Sequence, residues 1–206
     1  KLADTYKLAS YFVERTKKVQ YKQKAIDLYA ESGDSLELAH TYLSLSYVTK
    51  NFLERETSFD YFQRALEIYE RLKNYSWVAF TYFRFGTYYL NEFHDTLTGM
   101  KYYLKGVEII REHNVLSSAG HLYVAIATTY TTQNKLDSAG YWFRLADSVT
   151  LLMPQSPERT RYLYQVGQYY RYLKQYELAK QKLLEDIKLT KAEKEPTLKK
   201  NSFHYI

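Results

Sequence analysis

Two stretches decide how this chain folds: Tyr82-x2-Phe85-Gly86-x2-Tyr89, and Tyr123-x2-Ile126-Ala127-x2-Tyr130 continued by Ala139-x3-Phe143-x2-Ala146. Each opens with a bulky residue four before a small one and a tyrosine three beyond it, so all three share one face of an α-helix. Ala139, Phe143 and Ala146 make the same kind of face on a second helix. Working outward, Tyr42/Ser46 and Leu163/Gly167 repeat the first step, with Tyr170 in the tyrosine position. Ser58/Phe62, Gly99/Tyr103 and Ala179/Leu183 repeat the second. Small residues then follow at Ala25, Ala65, Gly106 and Ala146, at intervals of 40, 41 and 40, and the interval continues at Asp186, where an acid replaces the small residue. A period between 20 and 50 residues marks a solenoid of stacked supersecondary units.

Bulky, apolar-small, Tyr, then small-x3-aromatic and small again resembles the tetratricopeptide repeat, over roughly residues 35–206. The resemblance implies an all-α fold, a right-handed α-solenoid of antiparallel helix hairpins, and a role in holding other polypeptides. The period exceeds the usual 34 residues of that repeat. Within a hairpin the spacing is nonetheless normal, 12 residues from Ser46 to Ser58, Ala127 to Ala139 and Gly167 to Ala179. The extra residues therefore fall between a second helix and the next first helix. Repeats of this length resemble those of bacterial peptide-pheromone regulators, kinesin light chains and several bacterial signalling proteins. Residues 1–34 fit only in part, because Lys18 and Lys22 stand where small and aromatic residues belong. That hairpin is expected to cap the array or to continue a unit outside it.

Physical signals agree with the resemblance. Small residues at a crossing let two helices approach, while the aromatic one turn away fills the groove between hairpins. Asp34-x2-Glu37, Ser76 before Trp77, and Ser156-Pro157-Glu158 read as helix starts, with Gly33 and Asn74 as helix stops. Helices are predicted near 2–15, 17–32, 35–50, 54–73, 76–91, 96–113, 116–133, 136–152, 157–173, 176–193 and 197–206. The chain is thus one solenoid over 1–206, with hairpins at 1–34, 35–74, 75–115, 116–155 and 156–195 and the start of a further helix at 196–206.

Composition narrows the function classes. With 3 prolines and 7 glycines against 24 tyrosines and 10 phenylalanines, the chain has few turn punctuators and many large side chains to bury. The absence of cysteine removes disulfides, thiolate metal sites and thiol nucleophiles. The net charge of +6 is spread along the chain rather than clustered, as a nucleic-acid binder would have it, and only Lys188 to Lys200 is locally basic. No apolar run approaches the length of a membrane-spanning helix. The chain begins at Lys1 with no basic segment followed by an apolar run, so any signal peptide is expected to be missing or already removed, and it ends in an apolar-periodic segment, so it is expected to be a fragment of something larger.

No active site is legible. His40, His94, His113, His121 and His204 form no helical metal pair, although His94-Asp95 sets a histidine beside an acid. There is no nucleophile elbow, phosphate loop or dinucleotide fingerprint. Paired acids such as Glu54/Glu56 and Glu67/Glu70 lie in mixed-charge helix sequence and read as solvated faces. Neither catalysis nor a metal or organic cofactor is expected. The conspicuous tyrosines fall on the repeat's own packing positions, which favours core over base- or sugar-stacking platforms.

A groove follows from the resemblance, which implies that the first helix of each hairpin lines the concave face. Positions two before and one, five and eight after the bulky residue would point into it. Here these are His40, Leu43, Tyr47 and Lys50; Phe80, Phe83, Thr87 and Leu90; His121, Val124, Thr128 and Thr131; Arg161, Tyr164, Gln168 and Arg171. Such a surface is apolar in the middle and basic at one end, suited to a peptide with hydrophobic anchors and an acidic end, with Phe83 and Tyr164 as exposed anchors. The alternative is that Phe80, Phe83 and Leu90 pack against a neighbouring helix. Asn51 and Asn91, one repeat apart, could pair with a bound peptide's backbone or simply end their helices. The chaperone-tail carboxylate clamp is not matched, because Tyr47 and Thr87 stand where asparagine is required.

The expected partner is a protein or peptide, within a sensor or interaction segment of a larger bacterial signalling or transcription-regulatory protein. A passive scaffold is the alternative, and an RNA-binding helical repeat has little support. Self-association stays open, as does compartment, with the cytoplasm favoured over a periplasmic sensor segment of a membrane-anchored protein.

Overall fold

The computed structural model describes residues 1–49, 55–154 and 156–193. Within them the chain forms ten helices and no strand: α1 Leu2–Ala9, α2 Arg15–Ser32, α3 Ser35–Thr49, α4 Arg55–Arg71, α5 Tyr75–Phe93, α6 Thr96–His113, α7 Ala119–Thr132, α8 Leu136–Thr150, α9 Pro157–Tyr172 and α10 Tyr176–Glu193. The helix expected at 197–206 lies outside the described residues. Consecutive helices pair as hairpins, and α7 packs on both α5 and α9, so the first helices form one layer of a right-handed α-solenoid.

The 40-residue period is written into the backbone as well as the side chains. Left-handed residues end α2 at Gly33, α4 at Lys73 and α6 at Asn114, and end α5 at His94, α7 at Asn134 and α9 at Lys174. Each such residue reverses the chain after a helix end. Asn74 was expected to stop a helix, but Lys73 takes the left-handed turn and Asn74 instead caps α5, its side chain accepting from the Trp77 amide at 3.5 Å. Ser76 accordingly lies inside α5 rather than before it. The other starts are as the sequence marks them: Asp34 Oδ1 accepts from the Glu37 amide at 3.2 Å, and the Ser156 hydroxyl accepts from the Arg159 amide at 3.2 Å with Pro157 opening α9. The first helix stops at Ala9 rather than continuing to 15, because the amides of Tyr11 and Phe12 reach back only three residues, to Leu8 and Ala9, which tightens and ends the last turn.

Small residues sit at the crossings. Ala25, Ala65, Ala139 and Ala146 are wholly buried. Between α5 and α6, Gly86 and Gly99 face each other: a Cβ on Gly86 would collide with the Tyr103 ring and come to 2.8 Å of the Gly99 carbonyl oxygen, and one on Gly99 would lie 2.9 Å from the Gly86 carbonyl oxygen and collide with Leu90. Between hairpins, Gly106 admits Leu122: a Cβ there would come to 2.7 Å of the Leu122 side chain and 3.2 Å of the Ala79 carbonyl oxygen. The aromatics fill what remains, Phe62 against Phe85 (4.5 Å between centroids) and Phe85 against Tyr102 (4.9 Å), inside one core running from Ala39 to Val166.

Among the described residues two charged side chains are buried, Arg159 and Lys22. Arg159 on α9 ties α8 to α10, donating to Asp147 at 2.6 Å and Glu185 at 2.8 Å. Lys22, in the position where the repeat wants an aromatic, lays its stem inside and carries its ammonium to the Ser44 hydroxyl at 2.5 Å, 4.9 Å from the Tyr11 ring. Burial pushes its pKa down to about 8.

The Gly86–Gly99 crossing leaves no room for a side chain. Gly86→Ala is expected to lower the unfolding free energy by ~1–3 kcal/mol through overpacking, and Gly86→Leu by more. A chemical-denaturation midpoint unchanged in both variants would contradict the packing role.

Candidate functional site

A cavity of about 1000 Å³ opens along the layer of first helices, at the upper end of the size of small-ligand sites and large enough for several side chains. Tyr47 enters it from α3, Trp77, Phe80, Phe83, Arg84 and Thr87 from α5, His121 from α7, and Pro157, Glu158, Thr160, Arg161, Tyr164 and Gln165 from α9; Asp186 and Thr190 of α10 close its far side. Ser76 and the Ser117–Ser118 turn before α7 complete the wall.

The floor is continuous aromatic surface. Trp77 meets Phe80 edge-on at 5.3 Å, Phe80 meets Phe83 at 5.6 Å, and the His121 ring lies 5.2 Å from both phenylalanines. Phe83 is supported from behind by Tyr103 of α6, stacked at 6.1 Å and 19°, whose hydroxyl shares a 3.1 Å hydrogen bond with Thr87. Trp77 in turn rests on His40 and Tyr69. This ring-on-ring support holds the floor in place, since aromatic pairs prefer such offset and edge-on geometry.

Charge rims the floor. The Arg84 guanidinium lies 3.2 Å over the Tyr47 ring and that of Arg161 lies 5.6 Å from Phe83. His121 Nε2 is 3.3 Å from Glu158 Oε1, while its Nδ1 has no hydrogen-bond partner among the described residues. Burial, with Arg161 and Arg84 adding repulsion, pushes the imidazole pKa down to about 4 although Glu158 pulls the other way. Burial raises the Tyr47 phenol to about 12, so it stays protonated.

Of the residues expected in the groove, the structure brings together Tyr47, Phe80, Phe83, Thr87, His121, Arg161 and Tyr164. Lys50 and Asn51 lie outside the described residues. Leu43, Val124 and Thr131 are core residues, the last with its hydroxyl donating to the Ala127 carbonyl at 2.9 Å. Leu90 packs over Gly99, and Thr128 donates to the Val124 carbonyl at 2.8 Å. His40 packs behind Trp77 rather than lining the cavity. Asn91 and Arg171 are exposed and away from the cavity, and Gln168, also away from it, accepts from Arg171 at 2.7 Å. Asn91 does not end its helix either, since α5 continues to Phe93. Phe83 is also corrected: only 4% exposed, it is floor and not a free anchor, whereas Tyr164 is 49% exposed.

Sequence reasoning missed Ser76, Trp77, Arg84, Ser117, Ser118, Pro157, Glu158, Thr160, Gln165, Asp186 and Thr190. On α5 the lining residues 76, 77, 80, 83, 84 and 87 run one helical turn nearer the N-terminus than expected, and on α9 they end at 165. On α3, among the described residues, residue 47 in the C-terminal half takes part. The cavity therefore crosses the helices obliquely, the course that a fixed rotation per repeat imposes on a solenoid.

Among the described residues no group of acids and histidines could hold a metal ion, and no helix is long and apolar enough to cross a membrane. No family model and no curated protein matches the sequence. Among solved structures the chain is similar to aspartyl phosphate phosphatase F from Bacillus subtilis, with a TM-score of 0.68 and 14% identity over 92% of this chain. The chain spans 58% of that phosphatase's length. It is also similar to kinesin light chain TPR-like repeats from Podosopora anserina (TM-score 0.61, 9% identity, 94% of this chain and 96% of that one). A third similar structure is BtubC from P. vanneervenii (TM-score 0.59, 12% identity, 100% and 94%). The fold is that of the TPR-like helical repeats.

His121 makes stability depend on acidity. Its folded pKa lies below the usual histidine value, so between about pH 6.5 and 4 the unfolded chain binds the extra proton. The stabilisation is complete above that window and is lost as pH falls through it; His40, also lowered by burial, acts in the same direction. The unfolding free energy should drop by on the order of 1–2 kcal/mol from neutral pH to pH ~5, and His121→Gln should shrink the drop. Identical pH profiles for the two proteins would contradict the assignment.

Proposed function

We propose that this chain is a peptide- or protein-binding segment that receives its partner in the cavity between Tyr47 and Tyr164, and that it serves as the sensor or interaction segment of a larger bacterial signalling or regulatory protein. The observation that carries the proposal is the built floor of Trp77, Phe80 and Phe83, presented to an open cavity and supported from behind by α6. Apolar floors with a few convergent polar groups are where binding energy concentrates. The His121 nitrogen turned away from Glu158, Nδ1, meets no hydroxyl or other hydrogen-bond partner among the described residues, which favours binding over catalysis. Glu158 and Asp186 line the same space and would repel a phosphodiester backbone, which weighs against RNA. The signalling context draws on the likeness in fold to a Bacillus subtilis phosphatase that, by its name, acts on aspartyl phosphate.

The experiment compares two aromatic residues of one cavity. Tyr164, half-exposed on the wall, should when replaced by alanine weaken partner binding by ~1–3 kcal/mol with little change in the denaturation midpoint. Phe83→Ala should instead destabilise the fold by ~3–5 kcal/mol, as a buried phenylalanine does. The partner is captured by pull-down with this chain, identified, and titrated against each variant. Undiminished binding to Tyr164→Ala would place the interface elsewhere.

A further inference from the structure

The aromatic floor begins at Trp77, and the groups that hold Trp77 lie behind it. Its indole rests on two rings that also meet each other at 5.7 Å: Tyr69 of α4, stacked on it at 5.5 Å and 18°, and His40 of α3, tilted against it at 4.4 Å. Tyr69 is wholly buried, so the core fixes it. His40 stands at the repeat position of Phe80 and His121, one hairpin earlier, and is anchored differently. Its Nδ1 lies 3.6 Å from Glu37 Oε1, while its Nε2 is buried with no hydrogen-bond partner among the described residues.

Glu37 is itself held from the first hairpin. Its other oxygen, Oε2, accepts from the Lys7 ammonium of α1, so one carboxylate joins α1 to the ring that supports the floor. The charged and titratable groups around the imidazole are Lys7 of α1, Asp34 and Glu37 at the start of α3, and Tyr69 of α4. Burial lowers its pKa, Glu37 and Asp34 pull it up, and Lys7 pushes it down. The ring is therefore neutral at neutral pH and packs on the indole without burying a charge. Were Glu37 to swing away, both ring nitrogens would be buried and unanswered, a costly state that movement of the imidazole towards water relieves.

We infer that Lys7 and Glu37 are positioning residues of the binding floor, acting through His40 to hold Trp77 in its seat although neither of them lines the cavity. This rests on the cavity's being a polypeptide site. It adds the first hairpin to the parts on which that site depends.

The test uses the indole itself. Trp77 and Trp142 are the two tryptophans of the chain, so Trp142→Phe leaves Trp77 as the reporter. In that parent, acidification from neutral pH to the lowest at which the protein stays folded should quench the emission, because an imidazolium touching an indole quenches it, and His40→Phe should abolish the quench. Lys7→Met and Glu37→Gln should lose most of it. Both should also bind a fluorescent pool of short amidated peptides mixing Phe and Leu with Asn and Gln roughly two- to thirty-fold more weakly than the parent, the range of a coupling carried through packed side chains. Lys7→Arg, which keeps the charge, should retain quench and affinity. If Lys7→Arg loses as much as Lys7→Met, the pair acts only structurally and the positioning role is overturned. An unquenched parent, or unchanged quench or affinity in Lys7→Met and Glu37→Gln, would overturn it too and leave the polypeptide site intact where Tyr164→Ala still weakens binding of the pool. No binding of the pool by the folded parent, or undiminished binding by Tyr164→Ala, would overturn both.

Discussion

The contact between Gly86 and Gly99 is the constraint from which the middle of the molecule is built. It brings α5 and α6 close enough that Tyr103 lies over Gly86, and from that position Tyr103 stacks beneath Phe83 and reaches Thr87 with its hydroxyl. A side chain at position 86 would displace the very ring that supports the cavity floor. Packing inside one hairpin and the shape of the cavity floor are therefore a single mechanical problem. Close-packed interiors transmit such displacements instead of absorbing them.

The cavity borrows the same economy of parts along its length. His121 is at once a wall of the site, an edge for Phe80 and Phe83, and the group that meets Glu158. Arg159 and Arg161 are two positions apart on α9 and do opposite work. Arg159 is buried and answered by two acids that hold α8, α9 and α10 together, and Arg161 is exposed at the cavity. Side chains two apart on a helix leave it in very different directions, so one helix can serve both core and site without conflict.

Much of the fold was legible because the crossings demand particular residue sizes. Ala139, Ala146 and Gly86 recur at fixed spacing because nothing larger fits there, and the partner aromatics recur with them. Helix starts at Asp34 and Ser156 were legible for a local reason, a side-chain acceptor three residues before an amide. The turns at Lys73 and Lys174 were not, since lysine has no preference for a left-handed conformation and tertiary packing imposes it. The site was only half legible. Phe80, His121 and Tyr164 follow from repeat position, but Trp77 and Arg84 do not. Fixed offsets assume that the groove crosses every hairpin at the same height, whereas the twist of the array carries it from the end of α3 towards the start of α9. Leu90, Thr131 and Arg171 were lost for that reason. Lys22 shows the converse, a residue that breaks the repeat pattern yet still fills its place with a flexible stem.

The central claim is that the partner lies in the cavity formed by the first helices. A photoreactive phenylalanine analogue placed in turn at Tyr164, which lines the cavity, and at Tyr141, an equally exposed tyrosine on α8 away from it, tests this directly. Irradiation with the captured partner bound should give a covalent adduct from position 164 and little from position 141. An adduct from position 141 with none from position 164 would contradict the account.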